Sequence, residues 1–109
     1  MSSDHVIVAS TTDSADAACA LASGVIEAKL GACAQIVGPV ISVYRWDGAV
    51  QTEREWRVEI KTAVDRVAAL TEHIKAKHGY DVPEIIVTPI IAGSAKYLSW
   101  LIDETRGHS

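Results

Sequence analysis

Phenylalanine is absent from the 109 residues, and the large rings are three Trp and three Tyr. A core with no Phe and much Ala has to be built from slender helices and Val/Ile strands, with the few rings placed for particular purposes. Cysteine is scarce too. Cys19 and Cys33 exclude the multi-bridge framework of a small secreted domain and leave one bridge between them as the only disulfide the chain could form. No stretch approaches the ~18 apolar residues of a membrane span, and Met1 to His5 carry no basic segment of the kind that opens a secretory signal. These absences predict a cytosolic protein with reduced thiols and no membrane association. Positive charge is in deficit as well: ten Lys+Arg against fourteen Asp+Glu give a net charge of −4. That excludes nucleic-acid binding driven by counterion release and a polybasic lipid-binding surface. Nucleophile elbows, HExxH zinc motifs and glycine-rich phosphate loops are also missing, so the chain reads as a non-enzyme.

What is present is an ordinary globular balance, 49% hydrophobic and 22% charged, in a length suited to one domain over residues 1–109. His5 to Thr11 is a compact β-branched run and predicts a first strand. Asp13 or Ser14 then caps a helix whose apolar stripe is Ala15, Ala18, Cys19, Ala22, Val25 and Ile26, ended by Lys29 and Gly31. Ala32 to Trp46 reads as a long extended segment with a bulge or bend at Gly38-Pro39. Along it Val40, Ser42, Tyr44 and Trp46 face one way, and Ile41, Val43 and Arg45 the other. Asp47-Gly48 is a two-residue hairpin turn, because type I′ geometry needs positive φ at both positions. The return strand places Trp56, Val58, Ile60 and Thr62 on an apolar face, with Glu55, Arg57, Glu59 and Lys61 on a charged one.

Thr62 and Asp65 open a second helix with Val67, Leu70 and Ile74 as its stripe, closed by Gly79. The turn Tyr80-Asp81-Val82-Pro83-Glu84 leads into a strand over Ile85 to Ile91, in which Pro89 must lie at an edge, a bulge or the end. Gly93-Ser94 caps a last helix carrying Tyr97, Leu98, Leu101 and Ile102, with Trp100 beside them. The order β-α-β-β-α-β plus one helix predicts an α+β, ferredoxin-like βαββαβ antiparallel sheet with an extra C-terminal helix. One face of that sheet carries rings and aliphatics that a domain this small cannot hide. The sequence therefore predicts that a second subunit covers it, in a closed ring.

Lys29-Leu30-Gly31-Ala32-Cys33-Ala34-Gln35-Ile36, then Tyr44-Arg45-Trp46-Asp47-Gly48, Lys61-Thr62, His78-Gly79-Tyr80-Asp81-Val82-Pro83-Glu84 and Tyr97-Leu98-Ser99-Trp100-Leu101 resemble the CutA1 family of divalent-ion tolerance proteins. The resemblance runs in order over nearly the whole chain. It implies a cytosolic homotrimer of ferredoxin-like fold, with a role in tolerance of copper or other divalent cations. It also implies a copper site made in bacterial members by a Cys ending the first strand and a His pair before the turn. Here those positions hold Ser10 and Lys77-His78, so of that set only His78 can ligate. Thiolate suits Cu(I) and imidazole Cu(II), and their loss leaves a poorer copper site.

The candidate metal ligands are His78, Cys33 and Glu84; equally, Cys33 packs as a small apolar residue and His78 caps a helix end. Cys19, on the helix stripe, reads as structural. Tyr80, Pro83, Glu59 and Lys61 are candidates for a pocket between subunits; the alternatives are a rigid turn for the first two and cross-strand ion pairs for the last two. Tyr44, Trp46, Trp56 and Trp100 are the candidate trimer anchors. His5, His73 and His108 have no spaced partner. Two other functions fit the same fold: a trimeric small-ligand sensor resembling the PII signalling proteins, and a non-enzymatic anchoring or scaffold protein. The tight turn at Asp47-Gly48 leaves no room for the long loop of the PII type.

Overall fold

The computed structural model describes residues 4–106. Strand β1 (His5–Thr12) leads into helix α1 (Ala15–Glu27), followed by the long hairpin of β2 (Cys33–Trp46) and β3 (Ala49–Ala63). A 3-10 turn over Val64–Arg66 precedes α2 (Val67–Lys77), then β4 (Ile86–Pro89) and α3 (Ala95–Glu104). The strands form one antiparallel sheet in the order β2-β3-β1-β4. The predicted α+β, ferredoxin-like arrangement is therefore present.

The core lies between the sheet and the pair α1 and α2. Val6 and Val8 of β1, Val58 and Ile60 of β3, Leu21 and Val25 of α1, and Leu70 and Ile74 of α2 are buried together. Ser14 caps α1 by accepting a hydrogen bond from the Ala17 N–H at 3.0 Å. The helix ends where Lys29 takes a left-handed φ of 58°, and the Leu30 N–H closes onto the Val25 carbonyl at 3.1 Å. Lys29, and not Gly31, is thus the conformational stop. Gly31 serves packing instead: a Cβ there would lie 2.6 Å from Ile60 Cγ2 and 3.0 Å from Val25 Cγ1.

Three sequence expectations need correction. Cys19 is exposed, because α1 is rotated so that Leu21 is buried and Ile26 is not. Thr62 does not cap a helix; β3 continues to Ala63, and the buried Thr62 hydroxyl donates to the Leu30 carbonyl at 2.8 Å. β4 is shorter than expected, ending at Pro89, which sits opposite Val6.

At Gly38 and Pro39 the ladder skips from the Val37–Arg57 pair to the Val40–Glu55 pair. This bulge restores one face to the hairpin: Val40, Ser42 and Tyr44 come to lie on the same side as Glu55, Glu53 and Gln51, away from α1 and α2. α3 packs against that same side near Lys61, whose Nζ is 5.6 Å from the centre of the Tyr97 ring. Its Leu101 is fully buried. Arg66 Nε donates to the Thr105 carbonyl at 2.7 Å, and Arg106 meets Asp65 at 2.9 Å, which fastens the end of α3. Beyond α3 the hairpin projects uncovered, in a domain with extents of 45 × 30 × 22 Å.

Candidate functional site

Where the hairpin leaves the sheet, the turn between α2 and β4 rises beside it and encloses a cleft of about 620 Å³. β3 supplies Glu53 and Glu55, β2 supplies Tyr44 and Trp46, and the turn supplies Tyr80, Asp81 and Glu84. The β3 carboxylates arrive by alternation, two residues apart on one face. The bulge brings the β2 rings onto the same face.

His78 builds the turn. Its Nδ1 accepts the Tyr80 N–H at 3.0 Å, so Nε2 carries the proton and donates to the Thr11 carbonyl at 2.6 Å. The imidazole thereby ties the turn to β1 and packs 4.6 Å from the Tyr80 ring. Tyr80 is aimed at β3, where its hydroxyl donates to Glu55 Oε2 at 2.9 Å. Burial foremost, then this hydrogen bond and the charges of Glu55, Asp13 and Glu53, push the Tyr80 hydroxyl well above the ordinary tyrosine range. Tyr44 is also shifted upward, through desolvation and then its hydrogen bond to Glu53.

Glu55 is the unusual member. Only 8% of it is exposed, yet it forms no ion pair among the described residues. Glu84 differs, because Arg57 Nη1 stands 3.9 Å from it while Arg57 Nη2 meets Glu59 at 3.5 Å.

The sequence candidates are thus dispersed. His78 has no free lone pair for a metal, both ring nitrogens being committed within the turn. Cys33 sits opposite Lys61, far along β3 from the Arg57 position that faces Thr11. Glu84 alone of the three lines the cleft. Among the described residues no group of three His, Cys, Asp or Glu is placed to hold a metal ion. The residues of one protomer therefore do not fit the copper centre implied by the resemblance. The buried Ser10 hydroxyl, at the position where the resemblance implies a Cys ligand, has no hydrogen-bond partner and lies on the α1–α2 side of the sheet. Cys19 and Cys33 are both free thiols, so the bridge between them is not formed.

Tyr80 lines the cleft and Pro83 lies between two lining residues, Val82 and Glu84. Glu59 and Lys61 lie elsewhere, engaged with Arg57 and the Tyr97 ring. Of the four rings, Tyr44, Trp46 and Trp100 are exposed. Trp56 instead packs against the core, with its ring over Gly38, where a Cβ would come within 2.7 Å of Trp56 Cδ1. His5, Lys61 and Glu59 on the charged face are engaged within the protomer; His108 lies outside the described residues. Glu53, Glu55 and Asp81 were not singled out as a site from sequence. The signal was there in the Gly38-Pro39 bulge, which sets the register that brings Tyr44 beside them.

The profile described as CutA1 divalent ion tolerance protein matches residues 6–104. A rice protein named CutA 1, chloroplastic, is 48% identical over 101 residues, covering 93% of this chain and 57% of the relative. An Arabidopsis thaliana protein named CutA, chloroplastic, is 45% identical, with coverage of 93% and 56%. The chain thus spans little more than half the length of these plant relatives. A Thermus thermophilus divalent-cation tolerance protein CutA is 38% identical over 99 residues, with coverage of 91% and 96%. Among solved structures, CutA1 from Oryza sativa superposes with a TM-score of 0.93 at 45% identity, covering 98% of each chain. The T. thermophilus structure gives 0.90 at 37%, with coverage of 94% and 99%.

These relatives overturn the cytosolic expectation: the plant proteins are named chloroplastic, and a CutA structure from Archaeoglobus fulgidus is described as periplasmic. No helix among the described residues is long and apolar enough to cross a membrane. Matched along nearly its whole length by profile, sequence and structure, the chain belongs to the CutA1 divalent ion tolerance family.

Proposed function

We propose that this protein acts as a homotrimer in the response to copper or other divalent cations, with a binding and non-catalytic role, and that the acidic cleft is its cation-attracting surface. The observation that carries the reading is Glu55, an almost fully buried carboxylate with no cationic partner among the described residues, facing a cleft edged by Glu53, Asp81 and Glu84. Carboxylates gathered on one surface without a counter-charge create a negative potential, and a cation entering the cleft answers it. Because the carboxylates are spread out and not convergent, a divalent ion is held there with its water shell, as hard cations often are.

The trimer is supported by the projecting hairpin. Ile41, Val43 and Val50 are 74%, 65% and 63% exposed on it, and Trp46 is 49% exposed. Such an apolar arm is poorly suited to water and well suited to lie across a neighbouring subunit. The sheet edges β2 and β4 offer further pairing sites.

Calorimetric titration of the reduced protein with Cu(II), Zn(II) and Mg(II) tests the cleft. Binding that weakens in Glu55→Gln and persists in Cys33→Ser is the expected result. Binding that Cys33→Ser abolishes and Glu55→Gln leaves intact contradicts it.

A further inference from the structure

Helix α3 sits apart from the core that α1 and α2 form with the sheet. We propose that it is an independently opening strap over the opposite face of the sheet, held shut at its C-terminal end by Arg66. This movement does not depend on what the cleft binds.

Strand register places the strap. Val6 and Val8 of β1 pack into the core beneath α1 and α2, so His5, Ile7 and Ala9 face the other way, opposite Ala63, Lys61 and Glu59 of β3. Two contacts fix the path of α3 along this side: Lys61 meets the Tyr97 ring, and Arg66 meets Thr105. Between them Ala63 and Leu101 are both buried, and neither belongs to the main core cluster. They form a small satellite under the strap.

The helices are held very unequally. α1 and α2 put Leu21, Val25, Leu70 and Ile74 into the main core, whereas Leu101 is the one buried side chain within α3. A helix secured by so little apolar burial opens at lower cost than the rest of the fold. A hinge is also present. The Ile90 N–H donates to the His5 carbonyl at 2.9 Å, and residues 91–94 then run exposed, outside any strand or helix, to the start of α3.

The catch lies at the far end. Arg66, at the start of α2, donates from Nε to the Thr105 carbonyl at 2.7 Å. Carbonyls at a helix C-terminus have no partner within the helix, and the negative end of the dipole favours a cation there. The neighbouring Arg106–Asp65 pair is exposed, so water and salt weaken it and it adds little. Arg66 is therefore the main hold and Arg106 an accessory. Opening the strap would join Ala63 and Ile7 to Ile86, which pairs with Ala9 on the same side and is already 51% exposed. The movement thus sets how much apolar surface this face presents.

Native-state hydrogen exchange on the full chain, in a series of urea concentrations below the unfolding transition, tests the strap. In the wild type, the Leu101 and Ile102 amides are expected to exchange through an opening with a smaller urea dependence than the amides of β1 and β3. Arg66→Gln is expected to speed exchange at Leu101 and Ile102 about tenfold or more, as loss of a hydrogen bond from a charged donor implies. Arg106→Gln is expected to speed it about fivefold at most, and neither substitution changes β1 or β3. The same urea dependence in α3 as in β1 and β3 overturns the strap, because α3 then opens only with the whole molecule; this arm needs no variant. Exchange in α3 that Arg66→Gln leaves unchanged overturns the catch. Protection of α3 that follows protein concentration and not Arg66→Gln also overturns the proposal, since the cover is then another subunit.

Discussion

His78 shows how a residue can look like a ligand and be a strut. Its ring donates to the Thr11 carbonyl and accepts from the Tyr80 N–H, so removing it releases the turn and not a metal. His78→Ala is expected to cost about 1–3 kcal/mol of stability, measured by chemical denaturation, with Cu(II) affinity changed little. A loss of copper binding with stability intact would reverse the assignment. Tyr80 has a pH signature of its own. Its hydroxyl titrates above the ordinary value in the folded protein, so the folded state keeps a proton that the unfolded chain sheds near pH 10. Its contribution is therefore complete below pH 10 and declines as pH rises toward the folded value. Tyr80→Phe is expected to lower stability by about 1.5–3 kcal/mol at neutral pH, from loss of a hydrogen bond to a charged group, and to flatten the alkaline decline. Denaturation midpoints between about pH 8 and 11, a range that brackets the ordinary tyrosine value, check both effects.

Two glycines control how the elements meet. Gly31 lets the end of α1 approach β3, and Gly38 lets β2 pass over the Trp56 ring, where a Cβ would also lie only 3.1 Å from the Glu55 carbonyl oxygen. Gly31→Ala and Gly38→Ala are each expected to destabilise by about 1–3 kcal/mol through overpacking, read as a lowered thermal midpoint. Gly38→Ala is also expected to disturb the cleft, because the bulge sets the hairpin register. The elements themselves were legible from sequence. β1, the hairpin turn and the apolar face of β3 follow from alternation and from Asp47-Gly48, whose φ angles are 51° and 77°. The rotation of α1 was not, since Ala-rich positions give weak contrast between faces and Cys19 and Leu21 compete for the stripe. The cleft was legible only in part: Tyr80 and Glu84 announced themselves in the turn. Glu55 read as one more member of the charged face of β3, because its burial depends on the distant turn folding back over it.

At the scale of the molecule, two features call for partners. The apolar hairpin extends beyond the protection of α1 and α2, and the cleft gathers negative charge in a chain whose net charge is already −4. Association of three chains would cover the first, and cation binding would answer the second. Val43, at the border of the cleft on the hairpin, is 65% exposed in the protomer. Val43→Asp is therefore expected to leave the protomer folded while weakening assembly, because a charge buried at an interface without a partner is strongly unfavourable. Sedimentation equilibrium of the wild-type chain and Val43→Asp across a concentration series is the most direct measurement. A wild-type mass about three times the 11.7 kDa of the chain, falling toward one chain in Val43→Asp, is the predicted result. A folded wild-type species that stays at 11.7 kDa throughout the series would contradict the account.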